Sequence, residues 1–281
     1  LGGSGTGKSF FTNYFVRSCY DAGQTVFIID VGDSYQGLCS VVNEESGGKD
    51  GIYYTWDRNS PITFDAFIGI SEWVDGTGRL QQENDGLNFL LSFLQTLWSP
   101  AGGWNADSSN IIKQIVRDFA LSRRLTKERP IFDDLRSFIV TEIAPMIHSD
   151  EGYRCGDVNV TLSRFDIDGL VLAMGDYSTG GPFGFLLNDR NPRDLFSSRF
   201  TVFEVDKLSG INDSRFYSLC ILCIMNSFNA KMRNTPGMKV MVIEEAWKAI
   251  ANETMSGYLA GLWKTARKFQ TSAVVVTQQV S

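Results

Sequence analysis

The sequence contains few of the residues on which histidine and disulfide chemistry depend. Its 281 residues include one histidine and five cysteines. An odd, scattered set of cysteines is typical of a reducing compartment rather than a disulfide framework. Cys220 and Cys223 have C-x-x-C spacing, but they lie in a long apolar stretch, and there is no second such pair. With His148 as the only histidine, we interpret both as small buried core residues rather than a zinc or redox site.

Long apolar runs and positive charge are also scarce. No run approaches the roughly 18 apolar residues that a bilayer-spanning helix needs, so no such helix is predicted in this chain. The 32 acidic and 26 basic residues give a net charge of −6. This balance disfavours broad nonspecific nucleic-acid binding, which depends on neutralising phosphates, although a local basic loop stays compatible with it. Hydrophobic residues make up 43% of the chain, ample material for one large domain or two small ones.

The beginning of the chain carries the most specific motif. It fits the pattern G-x-x-x-x-G-K-[ST] at every fixed position. In such a loop, backbone N–H groups surround phosphate oxygens, and the following helix contributes the positive end of its dipole. The lysine reaches the β- and γ-phosphates, and the hydroxyl takes one position on Mg²⁺. The predicted nucleotide-binding residues are Gly2, Gly3, Ser4, Gly5, Thr6, Gly7, Lys8 and Ser9, with Ser9 also a Mg²⁺ ligand.

A loop of this kind follows a buried strand. Only Leu1 precedes Gly2 in this sequence. We therefore expect the chain to be a fragment of a longer protein, without the first strand of its sheet.

Short apolar segments rich in β-branched residues predict four buried strands. They are Thr25–Asp30, Phe200–Val205, Met238–Ile243 and Ala273–Thr277. Helices are predicted between them, at about Lys8–Asp21, Ser214–Arg233 and Trp247–Phe269. Strands that alternate with helices predict an α/β fold with a mostly parallel sheet.

The middle of the chain has a different character. A polar, glycine-rich stretch precedes an edge strand or hairpin around Ile52–Trp56. Apolar residues at helical spacing then predict four helices, at about 87–98, 111–120, 132–147 and 162–174. We therefore expect residues 41–199 to form a mainly helical insertion, and residues 1–40 and 200–281 to form the α/β core.

Acidic residues at the ends of two predicted strands are candidates for the chemistry. Glu244 and Glu245 follow an apolar strand, where P-loop enzymes place an acid that binds Mg²⁺ and a second acid that acts as base toward the attacking water. We assign these roles to Glu244 and Glu245 in that order, against the alternative of an ordinary acidic strand end. Asp30 ends another strand, where it either organises the phosphate region or caps the next loop.

Two later positions have a functional and a structural interpretation each. Arg267 or Lys268 fits an arginine finger directed at the γ-phosphate of a neighbouring subunit. Both also fit a cationic helix end that complements the dipole. Gln278 fits either a sensor of the γ-phosphate or a polar strand end.

These motifs, taken in order, resemble the large cytoplasmic ATPases of conjugative type IV secretion systems. This is the TraC/TraG-type family within the FtsK–HerA group of RecA-like motors. The resemblance rests on the glycine-rich loop, Ile29-Asp30-x-Gly32-x-Ser34, Phe132-Asp133-Asp134-Leu135, Glu244-Glu245-Ala246-Trp247, Arg267-Lys268 and Thr277-Gln278. The family has Asp-Glu-Ala-Trp where this chain has Glu244-Glu245-Ala246-Trp247, so the acid pair keeps its charge.

The resemblance implies a RecA-like P-loop fold with an inserted helical subdomain, and it implies ATP and Mg²⁺ as ligands. It implies a homo-hexamer with ATP between subunits, located at the cytoplasmic face of the inner membrane beside other type IV secretion components. The motor would power pilus or channel assembly and substrate transfer. Residues that match Lys8, Glu245, Arg267 and Gln278 serve in the family as phosphate lysine, catalytic acid, trans-acting arginine and sensor.

Three other functions stay open at the level of sequence. A DNA-translocating motor of the same superfamily, such as a coupling protein or a HerA-like translocase, would carry a basic pore loop or respond to DNA. A nucleotide-binding scaffold without turnover is disfavoured by the intact Lys8, Ser9 and Glu245. A small-molecule kinase is disfavoured because enzymes of that type are usually shorter. Contact with DNA is left undecided by these patterns.

Overall fold

The structure is a computed structural model that describes most of the chain. The described residues are 7–56, 61–81, 84–100, 103–124, 126, 128–192, 194–195, 197–209, 214–244 and 253–276. The chain divides into two compact units, each considered by itself. The sheet unit comprises 1–60 and 194–281, and the helical unit comprises 61–193.

Seven strands are described. They are β1 (Thr25–Asp30), β2 (Ile52–Thr55), β3 (Tyr153–Cys155), β4 (Val158–Val160), β5 (Phe200–Glu204), β6 (Lys239–Glu244) and β7 (Thr271–Val276). The sheet unit contains a five-stranded sheet in the order β2-β5-β1-β6-β7. Every pairing in it is parallel. Strands β5 and β6 are buried along their whole length, and β1 is buried from Val26 onward, as expected for the centre of a parallel sheet.

Ten α-helices are described. They are α1 (Lys8–Asp21), α2 (Gln36–Glu45), α3 (Asp85–Leu97), α4 (Ala106–Arg123), α5 (Phe132–Phe138), α6 (Ala144–His148), α7 (Ile167–Gly175), α8 (Asp206–Ser209), α9 (Ser214–Asn234) and α10 (Glu253–Ala266). A 3₁₀ turn, Arg267–Phe269, continues α10 toward β7. Among these residues no helix combines the length and apolarity that a membrane crossing requires.

The helical unit has an aromatic core. Phe93 is fully buried and lies 5.7 Å from Phe132 and 5.8 Å from Tyr177, measured between ring centroids. One turn of π-helix, Ile139–Ile143, joins α5 to α6, so the helix predicted over 132–147 is real but irregular. Strands β3 and β4 form an antiparallel hairpin that the sequence patterns did not predict.

The predicted bounds of the insertion need correction. Strand β2 pairs in parallel with β5, so the segment around it belongs to the sheet unit rather than to an insertion starting at residue 41. The inserted unit spans 61–193 instead of 41–199. The polar stretch that suggested an early boundary is the turn between α2 and β2, where Gly47, Gly48 and Gly51 have positive φ angles.

Candidate functional site

The first turn of helix α1 has a backbone geometry that suits an anion. Its N-cap is Gly7, at φ 83° and ψ 13°, a left-handed conformation that glycine adopts at little cost. The first N–H groups of a helix have no partner within it, and they attract anions. Lys8 and Ser9 occupy this first turn, with Ser9 exposed. The preceding residues of the predicted loop, from Gly2 to Thr6, lie outside the described residues.

Two side chains of α1 fix its first turn to its surroundings. The Thr12 hydroxyl donates a 2.6 Å hydrogen bond to the carbonyl oxygen of Lys8. The Asn13 amide donates to the carbonyl of Ser9 at 2.8 Å and to that of Ser34 at 3.0 Å. The second bond ties α1 to the loop that follows β1. The start of α1 is thereby held against the carboxyl edge of the sheet.

Three acidic side chains meet at this edge. Asp30 pairs in register with Glu204 on β5. On the other side, Ile29 pairs with Ile243, which places Asp30 next to Glu244. All three acids are buried. Parallel strands end at the same edge of their sheet, where open α/β proteins bind their ligands.

Glu204 is a structural anchor within this cluster. Its carboxylate accepts hydrogen bonds from the backbone N–H groups of Gly32, Asp33 and Asp206, at 3.3, 2.7 and 2.6 Å. Two of these donors lie in the loop after β1, where Asp33 has a φ of 57°, uncommon for a residue other than glycine. Glu204 thus holds an unusual loop conformation beside α1.

Within this cluster, Asp30 has a raised pKa. One of its carboxylate oxygens accepts a 3.1 Å hydrogen bond from the backbone N–H of Tyr35. Burial, together with the nearby carboxylates of Glu204 and Glu244, raises the pKa of Asp30 to about 7. Removal from water and like charges both disfavour the ionised form. A buried acid shifted into the neutral range is typical of a functional site.

Glu244 ends β6, as the sequence predicted for the Mg²⁺-binding acid. Its Oε1 accepts a 2.7 Å hydrogen bond from the Tyr35 hydroxyl. Tyr35 also belongs to the core cluster that contains Val16 of α1. Sequence reasoning missed Tyr35, for which no local pattern exists. It also missed Glu204, whose signal was an acid at the end of an apolar strand.

Arg267, another predicted site residue, lies at a different edge of the sheet. Arg267 is exposed at the start of the 3₁₀ turn before β7. It therefore lies toward the amino edge of the parallel sheet, opposite the three acids. Glu245 and Gln278 fall outside the described residues.

Two of the described side chains carry oxygen atoms of the kind that Mg²⁺ binds. This ion prefers carboxylate and hydroxyl oxygens, and in phosphate sites it takes few ligands from the protein. The Ser9 hydroxyl and the Glu244 carboxylate are groups of this type. In the part of the chain that the structure describes, no cluster of three or more histidine, cysteine or acidic side chains could hold a metal by itself. A site shared between protein and phosphate oxygens is compatible with that.

Comparison with known proteins places this geometry in context. The chain is 22% identical to Protein TraC of Escherichia coli (strain K12) over 284 residues, which cover 99% of this chain and 28% of TraC. It therefore spans little more than a quarter of that relative.

Solved structures share the fold. VirB4 of Thermoanaerobacter pseudethanolicus matches with a TM-score of 0.61 at 16% identity, over 98% of this chain and 67% of VirB4. The plasmid coupling protein TrwB, in complex with the non-hydrolysable ATP analogue ADPNP, matches with a TM-score of 0.52 at 14% identity, over 98% of this chain and 62% of TrwB. These likenesses confirm the α/β RecA-like fold.

The family itself is established by a match along the whole chain. The family model described as the TraG P-loop domain covers residues 1–281. This match confirms the resemblance to the conjugative type IV secretion ATPases that the motifs indicated. The chain belongs to the TraG P-loop domain family.

Proposed function

We propose that this chain is the motor domain of a type IV secretion ATPase that binds Mg²⁺–ATP and hydrolyses it. The observation that carries the proposal is the start of α1. Gly7 caps the helix in a left-handed conformation, and Lys8 and Ser9 occupy the first turn. Beside it, the buried acids at the carboxyl edge provide a second element on which a hydrolase depends. The fold that this chain shares with TrwB bound to ADPNP supports nucleotide binding.

Each predicted residue has a definite task in this proposal. Lys8 binds the β- and γ-phosphates, and the backbone of Gly2–Gly7 surrounds them. Ser9 and Glu244 provide oxygen ligands for Mg²⁺, which when bound neutralises phosphate charge. Glu245 takes a proton from the attacking water, and Gln278 contacts the γ-phosphate or that water.

Arg267 acts on a neighbouring copy in this proposal. Its place near the amino edge of the sheet separates it from the acids of its own chain, so it is directed at nucleotide held by another subunit. Such an arginine offsets transition-state charge. We infer a ring of identical subunits, six by the family pattern, with ATP between them.

We place this motor at the cytoplasmic face of the inner membrane, beside other type IV secretion components. There it powers transfer and the assembly of a pilus or channel. Membership of the family supports this assignment.

The test is the ATPase rate per subunit of the full-length protein, measured against protein concentration with and without DNA. We expect a rate that rises steeply with concentration, because Arg267 acts in trans, and that ignores DNA. Lys8→Ala should lower turnover by about 100-fold or more. Lys113→Ala, an exposed lysine of the helical unit, is the matched control and should leave the rate unchanged.

The same assay separates the competing functions. Stimulation by DNA would favour a DNA-translocating motor, a possibility supported by the shared fold of the coupling protein TrwB. ATP binding with a flat rate near zero would favour a nucleotide-binding scaffold. Glu245→Gln should bind ATP without hydrolysing it, and loss of binding would contradict the role of Glu245 as base.

A further inference from the structure

Tyr35 has an unusual position for a tyrosine. Its side chain is completely buried, although this residue type normally keeps its hydroxyl near water. The ring belongs to the core cluster of the sheet unit, together with Val16 of α1, Cys39 of α2 and Val242 of β6. The core around the ring holds the hydroxyl at the carboxyl edge of the sheet.

The Tyr35 hydroxyl donates a hydrogen bond to Glu244. The bond to Oε1 is 2.7 Å long, and both residues are buried. A tyrosine phenol ordinarily titrates at about pH 10, so at neutral pH the hydroxyl carries the proton that it shares in this bond. Hydrogen bonds to a charged acceptor are among the stronger ones in proteins.

The backbone of the same tyrosine contacts a second acid of the cluster. Its N–H donates a 3.1 Å hydrogen bond to Asp30, which lies next to Glu244 through the pairing of β1 with β6. Tyr35 thus contacts two of the three acids at the carboxyl edge, one through its backbone and one through its hydroxyl. A phenylalanine at this position would retain the packing and the backbone bond but lose the bond to Glu244.

We propose that Tyr35 is a positioning residue that orients the Glu244 carboxylate for Mg²⁺. The inference rests on the proposed function, which assigns Glu244 to Mg²⁺. Tyr35 itself touches neither nucleotide nor metal. It acts through Glu244, by fixing one carboxylate oxygen so that the group presents a single orientation.

The chain offers a matched control for this role. Tyr153 in the helical unit donates a 2.6 Å hydrogen bond to Asp118 and is also buried. Tyr153→Phe removes a tyrosine–carboxylate bond of the same kind, in the unit that contains none of the residues assigned to nucleotide. Any effect common to both variants is structural.

The experiment uses the full-length protein, with a fluorescent ATP analogue as the probe. The affinity of the protein for this analogue is measured over a range of Mg²⁺ concentrations and also in EDTA. Thermal unfolding of each variant is measured alongside. We expect Tyr35→Phe to raise the half-saturating Mg²⁺ concentration about 5- to 10-fold while leaving affinity in EDTA unchanged. Turnover should show a lower kcat with little change in KM. Tyr153→Phe should change none of these values.

A double-mutant cycle identifies the partner. In a Glu244→Gln background, Tyr35→Phe should have no further effect on Mg²⁺ dependence. An additive effect would show that Tyr35 does not act through Glu244, and would overturn the proposal. So would a Tyr35→Phe variant that melts earlier but retains wild-type Mg²⁺ dependence, since the residue would then be structural.

Failure of the inference can be told apart from failure of the proposed function. Wild-type protein whose nucleotide affinity ignores Mg²⁺ would overturn both. Mg²⁺-dependent wild type with an unchanged Tyr35→Phe overturns the inference alone. Should Tyr35→Phe not fold, 3-fluorotyrosine incorporated at position 35 keeps the ring and hydroxyl. Its fluorine resonance must then shift when Mg²⁺ joins bound nucleotide, and an unshifted resonance overturns the proposal.

Discussion

The two units of this chain treat charge in opposite ways. Among the residues that the structure describes, the buried charged side chains all belong to the sheet unit. They are Asp30, Asp50, Glu204, Lys239 and Glu244. In the helical unit, the buried polar residues are two serines, Ser108 and Ser178. Burying a charge is costly unless it is paired or hydrogen-bonded, so one unit sustains a cost that the other avoids.

The position of the buried charges explains the difference. Three of the acids lie together at the carboxyl edge of one sheet, rather than being scattered through the core. In the helical unit, ionic contacts such as Arg190–Asp134 and Arg164–Asp107 involve partly exposed side chains, which contribute little to stability. Apolar packing dominates the interior of the helical unit. Under the proposed function, the sheet unit gives up some stability to hold acids where phosphate chemistry takes place.

The largest expected effect comes from a substitution in the apolar core of the helical unit. Phe93→Ala removes a fully buried ring that contacts Phe132 and Tyr177. We expect the free energy of unfolding to fall by about 3–5 kcal/mol, because the ring loses its burial and leaves a cavity. Denaturant unfolding measures this. Leu172→Ala, at a residue 79% exposed, is the control, and an equal loss in both variants would contradict a packed aromatic core.

Glu204→Gln tests the anchoring acid of the sheet unit. The amide replaces one acceptor oxygen by a donor, facing backbone N–H groups such as that of Asp33. We expect a loss of about 2–3 kcal/mol in the free energy of unfolding, the cost of unpaired buried donors. The same measurement on Glu142→Gln, an exposed acid in the helical unit, should show almost none. If both changes are silent, Glu204 does not hold the loop.

Asp30→Asn should raise the free energy of unfolding at alkaline pH, whereas the preceding substitutions lower it. The pKa of Asp30 is raised to about 7 in the fold, against about 4 in an unfolded chain. The folded state therefore binds the extra proton, and this contribution to stability is full below pH 4 and is lost as the pH rises to 7. Asn cannot ionise, so we expect the variant to be more stable than wild type by about 1–2 kcal/mol at pH 8.

The measurement is the free energy of unfolding of both proteins from pH 4 to pH 8. The free energy of unfolding of Asp30→Asn, relative to that of wild type, should grow as the pH rises from about 4 to about 7 and level off above pH 7. A constant difference would show that Asp30 titrates normally and that the edge carries no strained charge.

The smallest effect should come from a surface ion pair. Arg190→Ala removes two contacts to Asp134, at 2.9 and 3.1 Å, from a side chain that is 40% exposed. We expect a loss of at most about 1 kcal/mol, reduced further by salt because solvent screens such pairs. Thermal melts at low and high salt measure it. A loss comparable with that of Glu204→Gln would abolish the contrast between the units.

Local sequence patterns predicted most elements of the sheet unit closely. Strand β1 has the predicted bounds, and β5, β6 and β7 deviate by one or two residues. Each is a short apolar run in which β-branched residues are frequent, between polar turns, so the pattern is strong without tertiary context. The helix after the glycine-rich loop also has its predicted bounds.

Elements with mixed patterns were predicted less completely. Helix α2 was missed, because no apolar run marks it beside the polar, glycine-rich turn. Strand β2 is only half-buried at the sheet edge, and the sequence predicted it as an edge strand or hairpin around Ile52–Trp56. The hairpin β3–β4 has three residues in each strand. Its stability comes from its surroundings, since an isolated hairpin is marginal in water.

Local patterns in the sequence were enough to predict the glycine-rich motif, the alternation of strands and helices, and the acidic ends of two strands. Only the tertiary structure decided that Asp30, Glu204 and Glu244 lie side by side, and that Tyr35 donates to Glu244. The reason is physical. A strand signal depends on neighbouring residues, whereas the register of parallel strands and the direction of a buried hydroxyl depend on packing between segments far apart in the chain.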